Sequence, residues 1–134
     1  MTWARSLRFV FVTGVVALGA SACQELTSRD LSELTVRDST YFHPESLEPY
    51  NGAVYRRFAD NPEQVLLTGV LRNGTWNGEM TVYHPSGRVR YQGEMANGTQ
   101  CGGWLENEDD TEVDDAFEEI KRELESLAIY PACP

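Results

Sequence analysis

Apolar and polar side chains alternate through residues 65–82, with the period of a β-strand that buries one face. The alternation turns at Asn73-Gly74, the dipeptide that best tolerates the two positive φ values of a type I′ hairpin turn. Taking these two residues as the loop pairs Leu71 with Trp76, and the same register continues outward. Its further pairs are Gly69 with Gly78, Leu67 with Met80 and Val65 with Val82. This register places six large apolar residues on one face and so predicts a hairpin: Val65, Leu67, Leu71, Trp76, Met80 and Val82.

A second hairpin follows when the same rule is applied to Asn97-Gly98. Its predicted pairs are Met95 with Gln100, Gly93 with Gly102 and Tyr91 with Trp104. Five identities relate the two hairpins at an offset of 24 residues: Gly69 with Gly93, Asn73 with Asn97, Gly74 with Gly98, Thr75 with Thr99, and Gly78 with Gly102. We interpret them as an internal repeat. In both units glycine on the apolar face lets a bulky neighbour such as Trp76 approach the backbone.

The link between the hairpins is a turn at His84-Pro85-Ser86-Gly87. A two-residue loop keeps Val82 and Val89 on one face, whereas a three-residue loop with a glycine bulge would pair Val82 with Arg90. The symmetry of the repeat favours the two-residue loop.

The run GVLRNGTWNGEMTVYHPSGRVRYQGEMANGTQCGGW resembles the bacterial variant of the MORN repeat, a unit of about two dozen residues built on a strand, an Asn-Gly turn and flanking glycines. The resemblance covers residues 35–105, and EPYNGAVYRRF upstream is similar to the lead-in of such proteins. It implies an antiparallel β-meander. It does not imply one function, because the family includes lipoproteins and proteins with an antitoxin label. The first unit departs from the pattern, with Met80 in place of a tryptophan.

Residues 1–22 have the features of a secretory signal: Arg5 and Arg8 precede an apolar run that ends at Ala22. The next residue, Cys23, stands where a bacterial lipoprotein carries its lipid, although Ala20 replaces the leucine of a typical lipobox. We expect an exported lipoprotein, anchored through Cys23 on the periplasmic side of the bacterial envelope. The alternative is a plain secreted protein with a spare thiol.

The net charge of the chain excludes some classes of binding partner. Residues 23–134 hold nine basic and 21 acidic residues, a net charge of −12. Nucleic acid would need a basic surface, so it is excluded as a partner. Anionic lipid would also repel the chain, and any membrane attachment is therefore expected through the lipid on Cys23.

The C-terminal segment is expected to supply a helix. Residues 106–134 are acidic, Thr111 and Asp114 resemble a capping box, and Pro131 would end the helix. An apolar stripe follows the helical period: Val113, Phe117, Ile120, Leu124 and Leu127. We expect this stripe to cover the apolar face of the sheet, with helix dimerisation as the alternative.

Upstream of the repeat, residues 23–34 are polar and are interpreted as a tether. The pairing of the strands around residues 35–57 stays open.

The remaining cysteines, Cys101 and Cys133, form an even pair in an exported domain, which favours a disulfide between them.

Catalytic and metal-binding patterns are absent from the sequence, and no cofactor is expected. His43 and His84 both precede proline in turns, and the pair of His84 with Ser86 lacks an orienting acid. We expect a non-enzymatic protein.

Two classes of function remain open. The first is a lipid-anchored interaction or scaffold module that presents the polar face of its repeat sheet to a protein or cell-wall partner. The candidate residues on that face are Thr75, Asn77, Glu79, Thr81, Tyr83, Arg88, Arg90, Gln92 and Glu94. The alternative is an envelope enzyme or carbohydrate-binding domain with an aromatic groove. We expect Trp76, Tyr91 and Trp104 to form core instead, and an exposed cleft holding Trp76 or Trp104 beside titratable groups would favour the alternative.

Overall fold

The computed structural model describes residues 28–134 and is mainly β, as predicted. The predicted signal segment and Cys23 lie outside the described residues. The strands are β1 (Arg29–Asp30), β2 (Thr35–Arg37), β3 (Thr40–Phe42), β4 (Gly52–Arg57), β5 (Val65–Arg72), β6 (Thr75–Trp76), β7 (Gly78–Tyr83), β8 (Val89–Ala96), β9 (Thr99–Glu106) and β10 (Leu127–Ile129). A short 3₁₀ helix covers Leu31–Glu33, and one α-helix, α1, covers Ala116–Glu125.

Eight strands form one sheet in the order β1-β4-β5-β7-β8-β9-β10, with β6 continuing the hairpin opposite β5. All neighbours are antiparallel except β1, which runs parallel to β4. Strands β2 and β3 make a separate hairpin. The sheet is the predicted antiparallel meander with a single C-terminal helix.

Both Asn-Gly turns have the predicted conformation, with φ of 49° and 74° at Asn73 and Gly74, and 50° and 80° at Asn97 and Gly98. The pairs beside the turns also match, since Leu71 lies opposite Trp76 and Met95 lies opposite Gln100. The turns set the local register because only residues that tolerate positive φ can close a two-residue loop of this type.

Farther from the turns the predicted register is wrong by two residues in both hairpins. Leu67 faces Val82 instead of Met80, and Tyr91 faces Glu106 instead of Trp104. The two extra residues are accommodated next to Gly78 and Gly102, whose φ values of 113° and 68° favour glycine. A shift of two keeps side chains on their predicted faces, so these two shifts leave the division into two faces unchanged. Val89 is the exception, since it pairs with Tyr83 of the polar face and not with the inner face as predicted.

The glycines on the inner face do admit a bulky neighbour, as expected. A Cβ atom built on Gly69 would lie 2.7 Å from the ring of Trp76, and one on Gly93 would lie 2.4 Å from the ring of Trp104. The two indoles therefore rest directly on backbone, and a side chain at either glycine would displace the ring.

The predicted two-residue loop between the hairpins is wrong. The backbone N–H of His84 donates to the carbonyl of Arg88, which leaves Pro85-Ser86-Gly87 as a three-residue loop. Gly87 closes it with a φ of 89°. A bulge then puts Val82 opposite Tyr91 and leaves Arg90 as the extra residue.

Part of the segment interpreted as a tether belongs to the core. Leu31 and Leu34 are each 8% exposed and pack with Tyr50, Val54 and Leu71. The 3₁₀ helix between them is capped by Asp30, whose carboxylate accepts a hydrogen bond from the backbone N–H of Ser32. This segment, and not the C-terminal helix, covers the inner face of the first repeat.

The C-terminal helix forms but does not cover the sheet, so the predicted packing is wrong. It begins after Asp115, whose carboxylate accepts hydrogen bonds from the N–H groups of Phe117 and Glu118, and it ends at Ser126. Leu127 lies in β10 and not in the helix. Phe117, Ile120 and Leu124 are 73%, 57% and 64% exposed.

Cys101 and Cys133 are joined by a disulfide, with Cα atoms 5.0 Å apart, which is the pairing predicted from the sequence. The same stretch is held by backbone pairing, since Gly102 donates to the carbonyl of Pro131 and accepts from the N–H of Tyr130. Together with β10, these bonds fasten the C-terminal tail to the last strand of the repeat.

Candidate functional site

The polar face of the repeat sheet carries the candidate interaction residues on β7 and β8. Glu79 lies opposite Glu94, and Thr81 lies opposite Gln92. The Gln92 side chain donates to the Glu79 carboxylate at 3.3 Å, and both residues are exposed, whereas Thr81 is buried at 4% exposure. The predicted face is therefore open to a partner at Glu79 and Gln92 but not at Thr81.

Other candidates on this face stand apart from that patch. Asn77 lies between β6 and β7, and its N–H donates to the carbonyl of Val70. Tyr83 ends β7, where it pairs with Val89 and is half-buried. The face is thus not a uniform polar surface.

The two arginines of this face form hydrogen bonds with the chain's own acidic C-terminal segment. The sequence analysis did not predict these contacts. Arg88 donates to the Glu119 carboxylate at 2.9 Å and to the carbonyl of Thr111 at 3.0 Å. Arg90 donates to Glu108 at 2.8 Å. These contacts fasten helix α1 and the segment before it to the edge of β8.

The Glu108 carboxylate binds two neighbouring residues of β8, since it also accepts a hydrogen bond from the hydroxyl of Tyr91. Adjacent residues of a regular strand point to opposite faces, and the bulge at Arg90 is what lets both side chains reach one carboxylate. The hydrogen bonds from Tyr91 and Arg90 lower the pKa of Glu108. The carboxylate is therefore charged at neutral pH, and the bond to Glu108 raises the pKa of Tyr91.

The inner face of the second repeat carries an open groove of about 650 Å³. Its floor contains Met80, Val82, Tyr91, Met95 and Trp104, and Glu106 and Glu108 stand beside it. Trp104 is only 2% exposed, and its indole N–H donates to the carbonyls of Glu94 and Cys101 at 3.0 and 3.1 Å. The ring is therefore core, as expected, although the groove beside it is open.

The histidines and Ser86 are not brought together. Nε2 of His84 lies 2.8 Å from the carbonyl oxygen of Asn107, while the Ser86 hydroxyl donates to Asp110. Ring centroids of His43 and Tyr50 are 4.8 Å apart, beside Arg29. Among residues 28–134 no group of three or more acidic, histidine or cysteine side chains has the geometry to hold a metal ion.

The outward face of α1 is an exposed apolar surface, although the sequence analysis expected it to be buried against the sheet. Phe117, Ile120 and Leu124 line a shallow cleft with Lys121 and Glu125 beside it. Two apolar residues of β10 are exposed as well, Leu127 at 53% and Ile129 at 84%. Such a cluster on a small protein is typical of a binding surface.

No family model matches the chain, and no curated protein or solved structure matches it either. In the part of the chain that the structure describes, the one helix of ten residues is too short and too polar to cross a bilayer.

Proposed function

We propose that the protein is a non-enzymatic interaction module of the bacterial envelope, held at the membrane by a lipid on Cys23. The observation that carries this proposal is the outward helix α1, whose three large apolar side chains are each more than half exposed. A helix that is amphipathic and yet unpacked against its own sheet has a face that another molecule can bury.

The architecture supports a binding role because it presents this helix on a firm base. The disulfide and β10 hold the chain after α1, the ion pair between Arg88 and Glu119 holds the helix, and that between Arg90 and Glu108 holds the chain before it. The exposed part of the polar sheet face, at Glu79 and Gln92, offers a second surface on the same domain. A partner that contacts either surface would meet a largely pre-formed site.

We also propose that the repeat is of the MORN-variant type. Both units have an Asn-Gly turn, a positive-φ glycine at the equivalent position and the same two-residue shift of register. Each turn is also held from upstream, since Gly74 N–H donates to the carbonyl of Tyr50 and Gly98 N–H donates to that of Trp76. Neither unit therefore stands alone.

Membrane attachment through Cys23 predicts that Cys23→Ser releases the protein from the membrane fraction of the producing cells. The lipid supplies the anchor, because the net charge of −12 gives no attraction to an anionic bilayer. The measurement is fractionation with immunoblotting, with Ser28→Ala as the control, a change close to Cys23 that leaves all three cysteines in place. A Cys23→Ser protein that stays with the membranes would refute the anchor.

A second candidate function is carbohydrate binding, and the open inner groove favours it, because Tyr91 lies there beside Glu106 and Glu108. Sugar rings bind by stacking on exposed aromatic faces, and the near-complete burial of Trp104 removes the largest of them. Isothermal titration calorimetry with soluble oligosaccharides of the cell wall tests this candidate. An absence of binding heat at millimolar sugar would eliminate it.

A further inference from the structure

Helix α1 is held to the protein by polar groups on one side, so its orientation is defined. Glu119 pairs with Arg88 at 2.9 Å, and Arg122 donates to the carbonyl of Thr111. Beyond the helix, the carbonyl of Ser126 accepts the N–H of Glu106 at 2.7 Å. Turning the apolar stripe inward would break these bonds, and the stripe therefore faces solvent in the folded protein.

The apolar stripe is short and well defined. Phe117, Ile120 and Leu124 follow the spacing of one helical face, and α1 has ten residues, a length of about 15 Å. A second helix laid along it would meet one aromatic and two branched aliphatic side chains. Apolar side chains at this spacing are the anchors through which an amphipathic helix binds another protein.

Charge decides between the molecules that could cover this stripe. Helix α1 carries Glu118, Glu119, Glu123 and Glu125 against Lys121 and Arg122. Glu119 pairs with Arg88 and Glu118 with Lys121, whereas Glu123 and Glu125 have no ion pair among residues 28–134. Residues 106–115 add seven acidic side chains and no basic one. A second copy or an anionic bilayer would bring like charge against the stripe, whereas a basic molecule would be attracted.

We infer that the stripe of Phe117, Ile120 and Leu124 is a docking site for a basic amphipathic helix of another protein. The inference rests on the proposed interaction function and names the class of partner. The apolar face of the partner packs on the stripe, while its Lys and Arg residues face the glutamates of α1. Three anchors on ten residues make a small interface, so the complex is transient, with a dissociation constant on the order of micromolar.

The test uses the protein purified from cells that express the full sequence. The probe is a fluorescent peptide of about 18 residues, built from leucine at helical spacing with lysine on the remaining positions. A matched peptide carries glutamate in place of lysine. The matched protein variant is Phe117→Ser with Leu124→Ser, which keeps every charge and changes two side chains that are 73% and 64% exposed. Fluorescence anisotropy reports binding, and circular dichroism reports folding.

We expect the lysine peptide to bind, with affinity falling at least about tenfold for the folded serine variant, because two anchors are lost. We also expect the glutamate peptide to bind at least about tenfold more weakly than the lysine peptide. Equal binding to the protein and to the serine variant would overturn the site, because charge alone would then explain the attraction. An absence of binding at millimolar peptide would overturn it too.

Two further measurements exclude the other occupants. Sedimentation of the protein alone is expected to show no association that the serine variant lacks. In flotation with vesicles of zwitterionic phosphatidylcholine, the protein and the serine variant are expected to bind equally, because both carry the lipid on Cys23. A dimer or a vesicle complex that needs Phe117 and Leu124 would overturn the assignment to a basic helix. Cross-links from Gln92 on the polar sheet face to another envelope protein would, in that event, leave the proposed interaction function intact.

Discussion

Replacing Trp104 by alanine is expected to lower the free energy of unfolding by about 3 to 5 kcal/mol. The indole is 2% exposed and rests on the backbone of Gly93, so its loss leaves a cavity that the flat strand beneath cannot fill. Its N–H also satisfies the carbonyls of Glu94 and Cys101. Urea denaturation, monitored by circular dichroism, measures the change.

Phe117→Ala is the matched control, because it removes an aromatic side chain that is 73% exposed and is expected to cost no more than about 0.5 kcal/mol. The contact between the Trp104 ring and Gly93 can also be tested by changing the glycine. Gly93→Ala adds a methyl group against the Trp104 ring and is expected to cost about 1 to 3 kcal/mol, whereas Gly103→Ala meets no atom within 4 Å. Equal stability of the Trp104 and Phe117 variants would show that the inner face is not the core.

Removal of the disulfide by Cys101→Ser with Cys133→Ser is expected to destabilise the domain by about 3 to 4 kcal/mol in the chain-entropy model. The bond closes a loop across a sequence separation of 32 residues, and this loop contains all of α1. For a domain with a total stability of roughly 5 to 15 kcal/mol, the loss is large. Chemical denaturation of the serine variant and the oxidised protein measures the difference.

Reduction provides an independent control for the disulfide prediction. A reductant should lower the unfolding midpoint of the protein and leave that of the double serine variant unchanged. Thiol titration of the denatured, unreduced protein should find Cys101 and Cys133 blocked. Two reactive thiols at these positions would contradict the structure, and a serine variant as stable as the oxidised protein would contradict the energetic role of the bond.

The sequence predicted the two faces of the repeat sheet because side-chain alternation and turn chemistry constrain them independently. Asn73 and Asn97 fix where the hairpins close, and the apolar positions fix which side is buried. The two-residue shifts could not be derived in the same way. They depend on the backbone conformations of Gly78 and Gly102, and a shift of two leaves the hydrophobic pattern unchanged, so the pattern carries no signal for it.

The packing of the flanking segments was not predictable for a different reason. An amphipathic helix shows that one face prefers burial but does not show what buries it. The stripe of α1 was therefore assigned to the sheet, while Leu31 and Leu34, isolated apolar residues in a polar stretch, supplied the cover. The acidic segment carried one usable signal, since its many carboxylates had Arg88 and Arg90 as nearby basic partners in the sequence.

In-cell photo-cross-linking from three positions tests most directly the claim that this protein binds through its outward surfaces. A photoreactive phenylalanine analogue is placed in turn at Ile120 on the helix, at Gln92 on the polar sheet face and at Met95 in the inner groove. We expect an adduct with another envelope protein from Ile120 or Gln92 and none from Met95. Adducts from Met95 alone would contradict it, because the inner groove would then be the binding site.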